Sequence, residues 1–345
     1  MKALVLEENA RLSYREVPPP RRDDPAWLGI RVKAAGVCGS DLPRGFTGGA
    51  YGYPLIMGHE FSGVVEDPAG SSQYKAGDRV VVFPLLWCGV CPACQTGDYV
   101  LCSHYDYFGS RRDGAFAEQL YVPEKNILRV PDHVDLVHAA MVEPAAVALH
   151  GVGKMRLRPG DTGAVYGAGP IGNMVGQWLK INGCRQVFSV DIDPEKLAIA
   201  QSLGLTPIPS GAGADPVQAI RDATGGRGAD RVVEAIGLPV TFLQATQSAA
   251  NFGEVVFMGN IHGTFAIGEK EFSSILRREL TIHGTWNSRW TPRGTDEWSR
   301  VLSYMDREFQ VAPLISHRPS LEEGVDILTR MHSRQMTYNK VIFVL

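Results

Sequence analysis

Tyr166-Gly167-Ala168-Gly169-Pro170-Ile171-Gly172 is the stretch from which the fold is read: a G-x-G-x-x-G set between an apolar run, Thr162 to Tyr166, and a helical run, Ile171 to Asn182. Glycine is needed where backbone turns tightly, approaches a pyrophosphate and packs a helix against a strand. The N–H groups at the helix start then face the phosphates. The spacing predicts strand, turn and helix, with Gly167, Gly169, Pro170, Ile171 and Gly172 against a dinucleotide. A second strand is expected over Gln186 to Val190. Asp191 ends it, nineteen residues after Gly172, where a carboxylate binds the adenosine ribose hydroxyls. No arginine follows in Ile192-Asp193-Pro194, and the Asp191 charge would repel a 2′-phosphate, so NAD is expected rather than NADP.

The alternation of apolar runs and helical stretches continues from about Asp161 to His283. Asp193-Pro194 and Asp215-Pro216 each open a helix, with Asp as N-cap and Pro at the first helical position. Strands are expected over Arg231 to Ala235 and Glu254 to Met258, with a helix after Pro239 between them. This is the pattern of a parallel α/β Rossmann sheet. The first 150 residues are instead rich in Gly and Pro, with short strand-like runs at Leu28 to Val32, Ser62 to Val65 and Arg79 to Val82. The tail offers helices near Asp296 to Met305 and Leu321 to Met331 and a last strand, Val341 to Leu345. It is short for a domain and is expected to pack back onto the first one. The 345 residues thus read as two domains, a β-rich unit over 1–149 and 286–345 with the nucleotide fold, 150–285, inserted in it.

With 34 Lys plus Arg against 37 Asp plus Glu, the chain has no basic stripe to suit nucleic acid or an anionic membrane. No apolar run reaches the ~18 residues of a membrane span, and MKALVLEENA meets acidic residues too soon for a secretory signal. A cytoplasmic protein is expected, whose cysteines stay reduced. Four of the six lie close together as Cys88-Gly-Val-Cys91-Pro-Ala-Cys94 and Cys102. In a lobe of about residues 85–104 they can converge on one tetrahedral Zn²⁺ with no open position, which makes the site structural. An iron–sulfur cluster is the competing reading, although the spacing to Cys102 departs from the bacterial run. Cys184 reads as a plain thiol, and Arg277-Arg278, in a stretch with Glu269, Glu271 and Glu279, as a solvated face.

A third constellation is dispersed: Cys38-Gly39-Ser40-Asp41, Gly58-His59-Glu60 and Val142-Glu143-Pro144. One thiolate, one imidazole and one carboxylate can hold a zinc and leave a position for substrate. In this order, followed by the four-cysteine lobe and the nucleotide fold, the residues resemble the zinc-dependent medium-chain alcohol and polyol dehydrogenases, and the likeness runs from Met1 to the C-terminus. Glu143 resembles the polyol branch, since alcohol dehydrogenases more often have Cys there. The stretches Cys38-Gly-Ser-Asp-Leu-Pro-Arg44, Tyr105-Asp-Tyr-Phe-Gly-Ser-Arg-Arg-Asp-Gly114 and Ile275-Leu-Arg-Arg-Glu-Leu280 are similar to those of dehydrogenases acting on a polyol phosphate such as galactitol 1-phosphate.

The resemblance implies a GroES-like catalytic domain, two zinc ions per chain, NAD, and a homodimer or homotetramer. It implies a catalytic zinc on Cys38, His59 and Glu143, with Glu60 as the alternative carboxylate. Ser40 would accept the hydroxyl proton and Asp41 would orient His59. Pro43 stands five residues after Cys38, where many relatives carry a relay histidine. Lys196 and Gly259 join the nucleotide contacts. For substrate it points to Ser40, Arg44, Phe108, Arg111, Arg112 and Asn287, the arginines suiting a phosphate. Surface pairing of the arginines with Asp106 or Asp113 is the other reading. The expected activity is NAD-linked oxidation of a secondary hydroxyl of a polyol phosphate. An unphosphorylated polyol such as sorbitol, a cyclitol, and a catalytically inactive dinucleotide sensor are the alternatives.

Overall fold

The computed structural model describes residues 1–291 and 296–345. The chain divides into two units, Met1–Pro144 with Arg289–Asp306 and Ile315–Leu345, and Ala145–Ser288 with Arg307–Leu314. Residues 307–314, part of the tail expected on the first unit, group with the second. Phe309 stacks on Trp178 at 4.4 Å, and Gln310 and Gln177 exchange hydrogen bonds of 2.7 and 2.9 Å.

In the second unit six parallel strands follow the sequence order third, second, first, fourth, fifth, sixth: Thr206–Pro209, Gln186–Asp191, Thr162–Tyr166, Ala229–Glu234, Ala249–Phe257 and Thr281–Gly284. This is the doubly wound order, whose ligand crevice lies beyond the carboxyl ends of the strands where the order reverses. The first strand is buried at every position, as a central parallel strand must be. Thr206–Pro209 carries Pro207 and Pro209, which lack ladder donors, and it accordingly sits at the edge. Four helices start with Pro in the first turn, at Pro170, Pro194, Pro216 and Pro239. The Asp193 carboxylate accepts the N–H of Glu195 and Lys196, and Asp215 those of Val217 and Gln218, each satisfying donors the helix itself cannot.

The first unit is built on a sheet that is antiparallel except where Ile315–His317 runs parallel to Lys340–Val344. Its path among the described residues runs Ile127–Arg129, Arg79–Val82, Glu60–Asp67, Leu28–Gly36, Lys340–Val344, Ile315–His317, and Gln119–Val122 also pairs with Leu28–Gly36. The tail thus enters the middle of the sheet, Ile342 opposite Gly36 and Val344 opposite Ala34. Leu4, Ile30, Val32, Phe61, Val80, Phe116 and Phe343 form its core. Bulges between Gly29 and Ile30 and between Val32 and Ala34 bend the Leu28–Gly36 strand against Glu60–Asp67. Glu143 lies in the first turn of the helix Val142–Val152. Among the described residues no helix is long and apolar enough to cross a membrane.

Candidate metal centres and nucleotide cradle

At the carboxyl end of the Thr162–Tyr166 strand, Gly167 has φ 106° and Gly169 is the N-cap of the helix Pro170–Ile181. A Cβ on Gly172 would collide with the Gly167 carbonyl oxygen, whereas one on Gly169 would meet nothing within 4 Å. The third glycine is therefore there for packing, and the second leaves an open face beside the free N–H groups of a helix start. That is the cradle a pyrophosphate requires. Asp191 is fixed at the adjacent strand end, its Oδ2 accepting the Ala168 N–H at 2.7 Å and its Oδ1 that of Asp193 at 3.0 Å. Lys196 lies in the first turn of the next helix. Gly259 packs on Gly237 and Glu234. Glu234, absent from the sequence-based set, is fully buried and accepts from the N–H of Ile236 and Gly237 and from the Thr241 hydroxyl, shaping the turn beside the switch point.

In the cysteine lobe the four sulfurs lie within 4.8 Å of one another, and Cys88 Sγ stands 3.9 Å from Cys94 Sγ. Tetrahedral bonds of about 2.3 Å put sulfurs about 3.8 Å apart, so the set fits one four-coordinate ion. Gly89 and Gly97, at φ 79° and 82°, supply the left-handed turns between the cysteines. Backbone N–H groups of Cys94 and Ser103 bring the Cys91 thiol down to about 5.

Cys38, His59 and Glu60 offer ligand atoms that also lie within 4.8 Å of one another. Cys38 follows the long Leu28–Gly36 strand, and Glu60 opens the strand paired to it, with Gly36 opposite Glu60. His59 is set by three glycines. Gly58 has φ 95°, and side chains on Gly109 or Gly114 would run into its carbonyl. Burial pushes the Cys38 thiol up to about 11, with the charges of Glu60 and Asp41 acting in the same direction. Burial likewise raises Glu143 to about 8; His59 opposes the shift while Glu60 and Cys38 add to it. His59 Nδ1 is buried without a hydrogen-bond partner. So many acids in one buried place, beside an unsatisfied imidazole, are matched to a divalent cation.

Asp41, 1% exposed, ties the place together. Its Oδ2 accepts the Cys38 N–H at 2.9 Å, and its Oδ1 holds Arg44 at 2.6 Å and faces His59 Nδ1 at 3.6 Å. Ser40 is the N-cap of the short helix Asp41–Phe46. Tyr107 donates to Glu143 at 3.3 Å and stands edge-on to His59. The site also contains Lys340, which sequence reasoning missed. Its Nζ pairs with Glu60 and donates to the Val37 carbonyl at 2.8 Å. Burial works to lower the lysine's pKa, but Glu60 and Cys38 outweigh it and the net direction is up. A charged residue opening the apolar strand Lys340-Val-Ile-Phe-Val was the available signal.

The substrate candidates separate. Arg44 is turned inward to Asp41, its side chain only 12% exposed, and so acts on the metal cluster's support rather than as an open anion receptor. Arg112, expected at substrate, is committed to Asp23 and Asp106 and lies over Trp27 and Phe108. Phe108, expected as a wall, is 2% exposed in the core, edge-on to Trp27. Arg111 lies between Tyr51 and Tyr105. Asn287, in the second unit, has φ 55° and its side chain accepts the Ser288 N–H. Arg278 also departs from expectation. It is half-buried and donates to the carbonyls of Thr246, Gln247 and Ala249, where the helix Pro239–Ser248 ends.

Comparison with known proteins agrees with this geometry. Residues 24–132 match the alcohol dehydrogenase GroES-like domain and residues 170–307 the zinc-binding dehydrogenase domain. Galactitol 1-phosphate 5-dehydrogenase of Escherichia coli K12 is 34% identical over 328 residues, 93% of this chain and 94% of its own. The crystal structure of the E. coli galactitol-1-phosphate dehydrogenase superposes with a TM-score of 0.92 over the whole of both chains at 32% identity. (R,R)-Butanediol dehydrogenase of Bacillus subtilis is 35% identical over 93% of this chain and 92% of its own. A putative zinc-binding dehydrogenase of Sinorhizobium meliloti 1021, bound to NADP, has a TM-score of 0.91 at 30% identity, covering 100% and 99% of the two chains. With a glycine cradle on a doubly wound sheet, a four-sulfur lobe and a buried Cys, His and Glu cluster on a GroES-like unit, the chain belongs to the zinc-dependent medium-chain alcohol and polyol dehydrogenases.

Proposed function

We propose that this dehydrogenase oxidises a secondary hydroxyl of a polyol phosphate, with NAD as acceptor and two zinc ions per chain. The observation that carries the reading is the buried set of Cys38, His59 and Glu60 with Glu143 beside it, an open-type cluster next to Ser40 rather than a second closed lobe. A zinc ion held there would lower the pKa of the bound hydroxyl, and the nicotinamide would take the hydride.

The chain's own residues do the rest. Cys38, His59 and one of Glu60 and Glu143 hold the metal; Glu60 is the carboxylate grouped with the thiol and the imidazole but is paired with Lys340, and Glu143 accepts from Tyr107, so either would share a partner with the ion. Ser40 takes the proton of the substrate hydroxyl. Pro43 has no group that can carry a proton, so the proton leaves by water or by a ribose hydroxyl of the cofactor. Asp41 faces His59 Nδ1 at 3.6 Å without bonding it, close enough for a small turn of the ring to bring the carboxylate behind a metal-bound imidazole. The Asp191 carboxylate at the end of the second strand would attract ribose hydroxyls and repel a 2′-phosphate, which supports NAD.

The substrate class rests on the galactitol 1-phosphate relative and on Arg111, which has no carboxylate partner among the described residues. A panel of polyols, polyol phosphates and cyclitols with NAD and NADP, followed by nicotinamide absorbance, tests it. The expected result is a kcat/KM well above that of the free polyol for the phosphate ester. A ratio near one would assign the enzyme to unphosphorylated polyols or cyclitols. Metal analysis should find about two zinc ions per chain, and about one in Cys38→Ala.

A homo-oligomer is also proposed, through the sixth strand of the nucleotide sheet. Thr281–Gly284 is an edge, Ile282 is 39% exposed on it, and Phe272, Leu276 and Trp286 are exposed in the same unit.

A further inference from the structure

We propose that Arg111, clamped between Tyr51 and Tyr105, is the specificity residue that receives the substrate's phosphate; this rests on the polyol phosphate reading above. The three candidate arginines differ in what their charge already meets. Arg44 is held by Asp41 and mostly buried, and Arg112 is held by Asp23 and Asp106. Among the described residues Arg111 has no carboxylate partner. Its guanidinium carbon lies 4.5 Å from the centre of the Tyr51 ring and 4.3 Å from that of Tyr105. A guanidinium lying over two rings is held by their faces, with the Tyr51 and Tyr105 side chains also engaging part of it, and its remaining N–H donors are left for a ligand. Those donors form the fork that matches two phosphate oxygens. Stacking also fixes the side chain before the ligand arrives, so less freedom is lost on binding.

The position suits the far end of the substrate. Tyr105 stands edge-on to Tyr107 at 6.3 Å, Tyr107 edge-on to His59 at 5.7 Å, and Tyr107 donates to Glu143. Arg111 therefore begins a row of rings whose other end is the metal-type cluster. A substrate with its phosphate several carbons from the reacting hydroxyl would reach further along such a row toward the arginine than an ester adjacent to that hydroxyl. Arg111 also lines a cavity of about 660 Å³ with Tyr53, Ser110 and Trp27; the cluster residues are not part of its wall, so it gives room beside the arginine and not a passage to the metal site. That volume lies in the range of small-ligand pockets.

The test compares galactitol 1-phosphate with free galactitol in the zinc-loaded enzyme and in Arg111→Ala, Arg111→Lys and Tyr51→Leu. Arg111→Ala is expected to lose about a hundredfold in kcat/KM for the phosphate ester, mainly through KM, with the free polyol changed less than about twofold. Arg111→Lys should recover only part, since an ammonium keeps the charge and loses the fork. Tyr51→Leu, at an exposed position where folding is not at stake, should fall between wild type and Arg111→Ala. If the wild type prefers the phosphate ester and Arg111→Ala keeps that preference, the role of Arg111 is overturned and the substrate class stands. A wild type that does not distinguish the two compounds overturns both.

Discussion

Asp41 shows how much a single buried carboxylate can organise. It fixes the backbone at Cys38, faces the His59 ring and neutralises Arg44. Replacing it with Ala leaves the arginine buried without its partner and the imidazole free to turn. Zinc affinity of Asp41→Ala should fall ten- to a hundredfold, read by competition with a chelator. Unchanged affinity would remove the positioning role. Cys184 makes a different prediction at the same scale. It is 5% exposed, and burial, with the charge of Asp161 adding, pushes its thiol up to about 12 from 9.0. The folded state holds that proton more tightly than the unfolded one, so its contribution to stability is intact below about pH 9 and is lost as pH rises toward 12. Cys184→Ala should cost about 1 kcal/mol at pH 7 through lost packing. It should lose less than the wild type between pH 7 and 10.5. Thermal midpoints of both proteins at the two pH values decide it.

The helix Pro239–Ser248 ends on carbonyls of Thr246, Gln247 and Ala249 that Arg278 reaches with its side chain, Arg221 sharing the one at Gln247, so Arg278→Met should destabilise the protein by about 1–3 kcal/mol. Denaturant unfolding measures it, and a value near zero would mean that water serves those carbonyls equally well. The same contact explains where sequence reading stops. The glycine turn and the Asp-Pro helix starts were legible because each is complete within a few residues: Asp193 and Asp215 cap the turn they precede. Arg278 was misread as solvated because its partners lie some thirty residues upstream and are carbonyls, which every residue has. The strand Thr206–Pro209 was missed for a local reason, its two prolines, which an edge tolerates and a central strand does not. In the site, the four-cysteine lobe was readable from residue type and spacing, whereas Cys38 and His59 stood out only through the order they share with the resembling dehydrogenases, which put Glu143 first and Glu60 as the alternative where the structure groups Glu60 with them. Lys340 was not readable, since it joins Glu60 across 280 residues. Nor could Arg111 be told from Arg112 by adjacency; only the carboxylates around each separate them.

For the whole molecule, the exposed edge at Thr281–Gly284 carries the assembly prediction. Ile282→Lys places a charge on that edge and should shift the protein toward monomer in light scattering, with the fold retained by circular dichroism. A variant that keeps the wild-type mass would move the interface elsewhere. The last strand of the first unit has a consequence of another kind. Lys340–Val344 pairs with the Leu28–Gly36 strand, and Lys340 bonds to Val37 across 303 residues. During synthesis at about 5–20 residues per second, the emerging N-terminal sheet waits roughly 15 to 60 s for the strand that completes it. Through that interval the Ala34–Gly36 end of the strand lacks its partner on one side, Gln119–Val122 covering only Leu28 to Arg31, and Glu60 has no Lys340 to pair with. The nucleotide unit, continuous from Ala145 to Ser288 apart from one short return, can form meanwhile. Birth of the enzyme on the ribosome is thus ordered from the inside out, the inserted unit before its host, and the nascent sheet is the stage at which a chaperone would be needed.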